Sequence, residues 1–549
     1  MRAARISACA LAAALGAAGA AAQAQDTAIV FERGAIVQPL SQDAAAAAET
    51  AVAGAQPDYD DYLRRTMDAY DSTGMVAAVM VDGRTVYTGA RGKAEEGTQR
   101  RVTRDTLFPI ASISKAFTTT ALAILVDREQ VDWDAPVKTY IPEFAMWDPW
   151  VGDNFTVRDL LTHRSGLPLG AGDLLIWPDG NAEVDDIIAA LPHLRPSTGF
   201  RDGYAYDNLL YIVAGEIVAR VSGQSWPDFV TQEILQPVGL TRCAAQKDRI
   251  PAGADVVTGH ERAAGAEDGV PIDPRAAFSN TWSAAGGLYC TASDMMAWSK
   301  FWFDGGVAED GTRIVSEEQA RELWQGVTPM GVNGRLRSAG SSHLAMYALG
   351  WVVQDFEGRL MVSHSGGAPG VASNLLLLPE EDIAVFASSN DYRGAASTFT
   401  HQVANALVGR GGSDFITDWG AAFAEAEAEG AALISETAGP PADATPPSLA
   451  LAEYAGTYRD PWYGEVRISL TDDGALFIDM GRSEILDGKL THFSGDRFTA
   501  FWPDASLKAD AYVDFETADG AVTGMTMKAI SELTDFSYDF HDLKLERVD

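Results

Sequence analysis

Ser112 and Lys115, in Leu107-Phe-Pro-Ile-Ala-Ser-Ile-Ser-Lys-Ala-Phe117, form a pair whose types and spacing could do covalent chemistry. The stretch runs into the apolar Thr118–Val126, which predicts a long helix with Ser112 in its first turn. Residues three apart share a helix face, so Lys115 is expected within hydrogen-bond reach of the Ser112 hydroxyl. A seryl hydroxyl becomes a nucleophile when a base takes its proton, and burial pushes a lysine down toward that task. Free N–H groups at the helix start favour an oxyanion on the acyl group under attack. Because Ser-x-x-Lys recurs by chance in a chain of 549 residues, the reading needs a second proton-transfer group, a second oxyanion donor and a strand to hold substrate.

Tyr206-x-Asn208 lies where a turn-rich loop opens into the predicted helix Leu209–Val221. A phenol near a charged Lys115 is expected to titrate below its ordinary value near 10, which makes Tyr206 the candidate second proton-transfer group. His364-Ser365-Gly366-Gly367 follows a predicted strand, Leu360–Ser363. Its glycines let a substrate backbone lie against a strand edge, and the Gly367 N–H could face that of Ser112 across an oxyanion. His364 and Ser365 are then placed to touch a carboxylate or carbonyl of the ligand. His163, beside the Gly166-Leu-Pro168 stop of a short helix, is read as bonding a carbonyl at the helix end rather than as a catalyst.

The elements that must position these residues fall into two groups. Tyr59–Tyr70 has helical spacing, Gly74–Ala90 alternates about Asp82-Gly83 as a β-hairpin, and the Ser112 helix follows. That order predicts an α+β, three-layer domain with an antiparallel sheet flanked by helices. Thr291-Ala-Ser-Asp294 caps a helix from Met295 to Phe303 after Gly286-Gly287, whose lack of side chains lets backbone pass close to a neighbour. Tyr347–Gln354 and Leu360–Ser363 read as adjacent strands, Ser373–Leu378 and Ile383–Ser388 as a further hairpin, and Phe399–Leu407 as a closing helix. An Ala-Glu helix over Ala421–Ala432 and the Pro-rich stretch Gly439–Pro447 mark a boundary. Beyond it the apolar period becomes two, with turns at Asp472-Asp473-Gly474 and Asp519-Gly520 and a last strand expected over Phe536–Leu545. This predicts a small antiparallel barrel or sandwich.

Residues 1–24 read as a secretory signal: Arg2 and Arg5 begin it, a weakly apolar middle follows, and Ala22-Gln-Ala24 is a cleavage site. The mature protein is thus expected in the periplasm or secreted, with 25–57 a flexible leader. The formal charge of −36 for the full chain, −38 once Arg2 and Arg5 leave with the signal, repels nucleic acid and anionic membranes. No later stretch has the length of a transmembrane segment, and no spacing fits a metal framework. Cys243 and Cys290 read equally as a disulfide or as two buried thiols.

Taken in order, Ser112-x-x-Lys115, Leu161-Thr-His-Arg-Ser-Gly-Leu-Pro168, Tyr206-x-Asn208, Gly286-Gly-Leu288 and His364-Ser-Gly-Gly367 resemble the class C β-lactamase and penicillin-recognising serine hydrolase family, with its esterase and D-aminopeptidase branches. The resemblance spans residues 58–410; 411–447 is then a helix and linker, and 448–549, with Tyr454-Ala-Gly-Thr-Tyr458, resembles the lipocalin-like domain of some peptidase-like members. It implies a metal- and cofactor-free enzyme in which Ser112 is acylated and Lys115 and Tyr206 transfer protons, the choice of base between them left open. Asn208 would donate to the substrate amide carbonyl and to Lys115, and the N–H groups of Ser112 and Gly367 would form the oxyanion hole. His364, Ser365 and Gly366 would meet a small-molecule or peptide substrate. His364 stands where β-lactamases carry Lys-Thr-Gly, and those enzymes lack the extra domain, so efficient antibiotic hydrolysis is not expected. The expected function is an exported serine hydrolase cleaving an ester or a peptide amide, including one bearing a D-residue. The alternatives are a β-lactamase, a slow-turnover penicillin-binding or peptidoglycan-sensing protein, and an interaction protein working through its barrel.

Overall fold

The computed structural model describes residues 57–548 apart from 263–268, 274–278, 340, 410–412, 438 and 532–533. The signal and leader expected over 1–24 and 25–57 lie outside the described residues, save Pro57. Helix α1 (Tyr59–Tyr70) is started by Asp58, whose carboxylate accepts the Asp61 N–H at 3.0 Å, and buries Leu63, Met67 and Tyr70 on one face. β1 (Gly74–Val81) and β2 (Arg84–Gly92) form the hairpin expected around Asp82-Gly83, both of which take positive φ, as a tight two-residue turn requires. Then come α2 (Ser114–Asp127), α3 (Leu209–Ser222) and α4 (Ala292–Phe303), the last begun by a capping box between Thr291 and Asp294.

The strands β3 (Thr328–Met330), β4 (Ala345–Tyr347), β5 (Val352–Phe356), β6 (Arg359–Ala368), β7 (Val371–Leu378) and β8 (Ile383–Ser389) complete, among the described residues, an eight-stranded antiparallel sheet. Its order is β2-β1-β8-β7-β6-β5-β4-β3. The hairpin at the chain start thus docks on the last strand, and its central strands are buried on both faces. Helices α1, α5 (Ala395–Val408) and α6 (Phe415–Thr437) cover one face. The other carries α2, α3 and α4, packed partly through the stacked rings of Phe117 and Trp298, 4.0 Å apart. This is the α+β three-layer arrangement expected.

Two strand expectations are corrected. Tyr347–Gln354 is not one strand: Gly350 has a φ of +80°, which breaks the pairing between β4 and β5. The His364 segment does not follow its strand but continues it, with Gly366 paired to Ser373 and Gly367 to Ala372.

The C-terminal strands β9 (Gly456–Asp460), β10 (Gly464–Leu470), β11 (Leu476–Asp479), β12 (Gly488–Ser494), β13 (Arg497–Phe501), β14 (Ala511–Ala518), β15 (Ala521–Ala529) and β16 (Lys544–Arg547) form a closed barrel. Alternate residues such as Val466, Ile468, Ile478, Phe498, Val513 and Met525 fill it. Closure by pairing of β9 with β16 leaves no free sheet edge. The strand expected over Phe536–Leu545 is shortened to Lys544–Arg547. Asp535–Asp539 leaves the barrel instead and turns into the cleft of the first domain, because its aromatic and acidic side chains find partners there. Cys243 and Cys290 are joined in a disulfide, their Cα atoms 4.2 Å apart. No helix among the described residues is long and apolar enough to cross a membrane.

Candidate active site

Phe108-Pro109 pairs with Tyr289-Cys290, and the Ile110 N–H donates to Leu288 O at 2.9 Å, which fixes the approach to Ser112. Ala111 has a φ of +47°, a costly conformation for a residue with a Cβ that directs the chain into the turn carrying the hydroxyl. Ser112 lies not in the first turn of α2 but in the 3-10 turn Ala111–Ile113 that precedes it. In such a turn side chains three apart eclipse one another, so the i, i+3 relation to Lys115 is tightened rather than lost. A Cβ at Gly366 would lie 2.1 Å from Ile110 O, so only glycine lets β6 pass this turn.

Lys115 is wholly buried. Its Nζ lies 3.1 Å from Ser112 Oγ, 2.8 Å from Asn208 Oδ1 and 2.9 Å from Ala285 O. The last two atoms can only accept. A neutral amine satisfies both with its N–H bonds and has its lone pair left for the Ser112 proton, which is the geometry a base needs. Burial lowers the amine to about 7, against a smaller opposing pull from Asp173 and Asp207. Burial also raises those two carboxyls, Asp173 to about 8 and Asp207 to about 7, so each is largely or partly uncharged near neutrality.

The ammonium or amine of Lys115 sits 4.7 Å from the centre of the Tyr206 ring. The expectation that it draws Tyr206 toward phenolate is reversed: burial raises the phenol well above 10. Its hydroxyl makes no hydrogen bond of strict geometry among the described residues, yet Ser112 is the neighbour that eases its ionisation. A protonated Tyr206 beside the serine is placed to give a proton or relay one. Asn208 is corrected in part as well. It accepts from Lys115 rather than donating to it, and its Nδ2 donates to Asp173 Oδ2 at 2.8 Å.

His163 is buried with a φ of +51°. Its Nδ1 accepts the Asp207 N–H at 3.1 Å, and its ring centre lies 4.1 Å from that of Tyr206 and 4.3 Å from that of Tyr347. It therefore supports the Tyr206 loop, a backbone partner as expected but an amide rather than a carbonyl. Asp159 braces the same motif: it caps its own helix through Thr156 and accepts from Arg164 at 3.0 Å and from Arg201 at 2.9 and 2.5 Å.

His364 lines the pocket with both ring nitrogens engaged, Nδ1 donating to Ser365 O at 2.6 Å and Nε2 accepting from the Tyr347 hydroxyl at 3.0 Å. Burial, with Lys115 nearby, lowers it to about 3, so it presents no positive charge to a carboxylate. Half-buried Ser365, with Gly366 and Gly367, lines the pocket beside it.

Sequence reasoning missed the remaining wall. Asp173, Tyr347, Tyr392, Trp177 and Trp282 line the cavity, as do Asp535, Phe536 and Ser537 from the barrel. The cavity is small, about 110 Å³. The Phe536 ring stands edge-on to Tyr206 at 6.2 Å, Asp535 accepts from the Tyr392 hydroxyl at 3.1 Å, and Ser537 donates to Asp173 Oδ2 at 2.8 Å. No sequence signal marks Asp173 or Ser537, which are 364 positions apart. Among the described residues no group of three or more His, Cys, Asp or Glu side chains could hold a metal ion.

A part-exposed serine above a buried lysine, a tyrosine at the next loop and a glycine strand alongside make a candidate serine hydrolase site on an α+β sandwich. The Beta-lactamase family model matches residues 59–410, and the chain belongs to that family. It is a β-lactamase-related serine hydrolase, and the resemblance drawn from its ordered motifs is borne out. A second model, described as a domain of unknown function, DUF3471, matches 440–547. The chain is 26% identical over 434 residues to the unguisins hydrolase ungD' of Aspergillus campestris, covering 75% of this chain and 77% of that one. It is 26% identical over 355 residues to the D-aminopeptidase of Brucella anthropi, covering 64% and 62%. The octameric penicillin-binding protein homologue from Pyrococcus abyssi shares the fold at a TM-score of 0.56 and 20% identity, over 85% of this chain and 97% of that chain.

Proposed function

We propose that the chain is an exported hydrolase that cleaves an ester or a peptide amide, including amides with a D-residue, through an acyl-enzyme on Ser112. The observation that carries the reading is the arrangement around Lys115, in which two obligate acceptors take its N–H bonds and the third direction points at the Ser112 hydroxyl. Ser112 Oγ attacks the acyl carbonyl as its proton passes to Lys115. The N–H groups of Ser112 and Gly367 hold the oxyanion, and Tyr206 gives its proton to the leaving group and regains one from Lys115, so that the amine is free again for the second step. Water then repeats the sequence on the ester, with the same amine as base. Ser365, Gly366 and Asn208 line the substrate path.

The aromatic, closely bounded cavity favours a compact acyl group over a bulky one. His364 offers no charge, and the Arg393 guanidinium is turned to Tyr70 O and Glu427, which disfavours an obligatory carboxylate on the substrate. A relative named as a D-aminopeptidase supports an amide substrate. Export is supported by the signal-like residues 1–24 and by the Cys243–Cys290 disulfide.

The test is labelling with a fluorophosphonate, followed by mass spectrometry and by assay on a short-chain nitrophenyl ester, a D-alanyl anilide and a chromogenic cephalosporin. The adduct is expected on Ser112, with ester or anilide turnover abolished in Ser112→Ala. A label on another residue sinks the reading, a burst without turnover favours a slow penicillin-binding role, and rapid cephalosporin turnover makes the chain a β-lactamase.

A further inference from the structure

The barrel loop reaches the catalytic amine through an unbroken chain of hydrogen bonds. Ser537 Oγ donates to Asp173 Oδ2 at 2.8 Å, the same oxygen accepts Asn208 Nδ2 at 2.8 Å, and Asn208 Oδ1 accepts Lys115 Nζ at 2.8 Å. The direction of the two links made by Asn208 is fixed by chemistry. An amine needs the oxygen of the Asn208 amide, not its NH2, and the amide is held that way round because its NH2 faces a carboxyl oxygen. Both Ser537 and Asp173 are buried, so water does not substitute for a missing partner.

The loop is also locked in place. Asp539 accepts the Gly172 and Leu174 N–H groups at 2.7 and 3.1 Å, on either side of Asp173. The Ser537 N–H donates to Asp535 at 2.9 Å, which in turn accepts from Tyr392. Loop and Asp173 segment therefore move together or not at all.

We infer that Ser537 of the barrel is a positioning residue for catalysis, acting through Asp173 and Asn208 to aim the Lys115 amine at Ser112. The inference rests on the reading of Lys115 as base. The groups that face this chain are Asp207, His163, His364, Tyr206 and Tyr211 around Lys115, and Asp207, Tyr206 and Asp539 around Asp173. Of these, Asp173 and Asp207 oppose the lowering of Lys115, and Ser537 favours the ionised form of Asp173. Removing the Ser537 hydroxyl thus makes Asp173 harder to ionise and loosens the anchor of the Asn208 amide, while Lys115, beside an already largely uncharged Asp173, keeps its value of about 7.

The experiment measures kcat and KM against pH for nitrophenyl ester hydrolysis by the full-length chain, its Ser537→Ala, Ser537→Thr and Asp173→Asn variants, with fluorophosphonate labelling in parallel. Ser537→Ala is expected to lower kcat about fivefold with KM little changed, as loss of one buried hydrogen bond in a relay should. Its acid limb should stay near pH 7, because Asp173 is already largely uncharged there; Asp173→Asn should likewise lower kcat, and Ser537→Thr should restore the rate. A loss confined to KM, or equal losses in the Ala and Thr variants, overturns the relay while Ser112 labelling leaves the acyl-enzyme reading standing. Absence of labelling in the wild type overturns that reading, and the relay with it.

Discussion

Asp159 and Asp173 are both closed off from solvent in the same domain, yet the protein treats their charge in opposite ways. Asp159 accepts from two arginines and from its own helix cap, and the hydrogen bond from Arg201 leads the effects that hold its carboxyl below the ordinary range against burial. Asp173 receives only neutral donors, Asn208 and Ser537, and one of its oxygens has no hydrogen-bond partner among the described residues. Burial then wins and raises it to about 8. The scaffold holding the Tyr206 loop is built from compensated charge, whereas the pocket is kept short of charge. With its neighbouring carboxyls raised in this way, Lys115 can be a free amine near neutrality.

The sharpest way to break this contrast is Lys115→Ala, which should leave the fold intact and lower acylation about 10³-fold, as loss of a positioned base does. Stopped-flow acylation with a nitrophenyl ester measures it, and near-normal turnover would remove the basis for an uncharged pocket. On the scaffold side, Asp159→Ala should cost about 3 kcal/mol in urea unfolding at pH 7, because Arg164 and Arg201 lose a buried partner. The carboxyl is lowered in the folded state, so its contribution is present above the unfolded pKa near 4 and fades as the pH drops through the folded value. Equal melting of mutant and wild type at pH 7 would show that Asp159 is not a stabilising hub.

Smaller effects separate the two aspartates further. With Lys115 at about 7 and acting as the neutral base, kcat/KM should rise with pH through about 7 and fall roughly tenfold per unit below it. A flat profile from pH 5 to 8 would assign the limb to another group. Asp173→Asn should increase thermal stability by about 1 kcal/mol at pH 8 even as it slows acylation, since functional sites hold such unfavourable groups. The sign follows from linkage: the folded carboxyl is raised to about 8, so its ionisation penalty grows from about pH 4 to about 8, and the gain should vanish near pH 4. A variant less stable than wild type at pH 8 would mean that Asp173 is compensated after all.

Much of the framework was legible along the chain. Apolar spacing located α1 and α3 to within a residue, Asp82-Gly83 marked the first hairpin, and period-two alternation marked the barrel, because these signals are set by neighbours a few positions apart. The break at Gly350 and the escape of Asp535–Asp539 from the barrel were not legible. A strand-like run of apolar residues does not record whether a sheet or a distant cleft will receive it. Among site residues, Lys115 could be placed beneath Ser112 because helical geometry fixes that relation locally. Asp173, Tyr347 and Ser537 carry no such local mark.

The sequence by itself determined which hydroxyl and amine share a turn, since three residues of helical backbone leave little freedom for anything else. It also determined the hydrolase family through an ordered set of short motifs. Only the tertiary structure decided the protonation of those groups, and it reversed the expected direction for Tyr206, because desolvation depends on what packs around a side chain from all over the fold. Only the tertiary structure brought the barrel into the site, because a hydrogen bond between Ser537 and Asp173 is made by two folded domains meeting, not by any spacing along the chain.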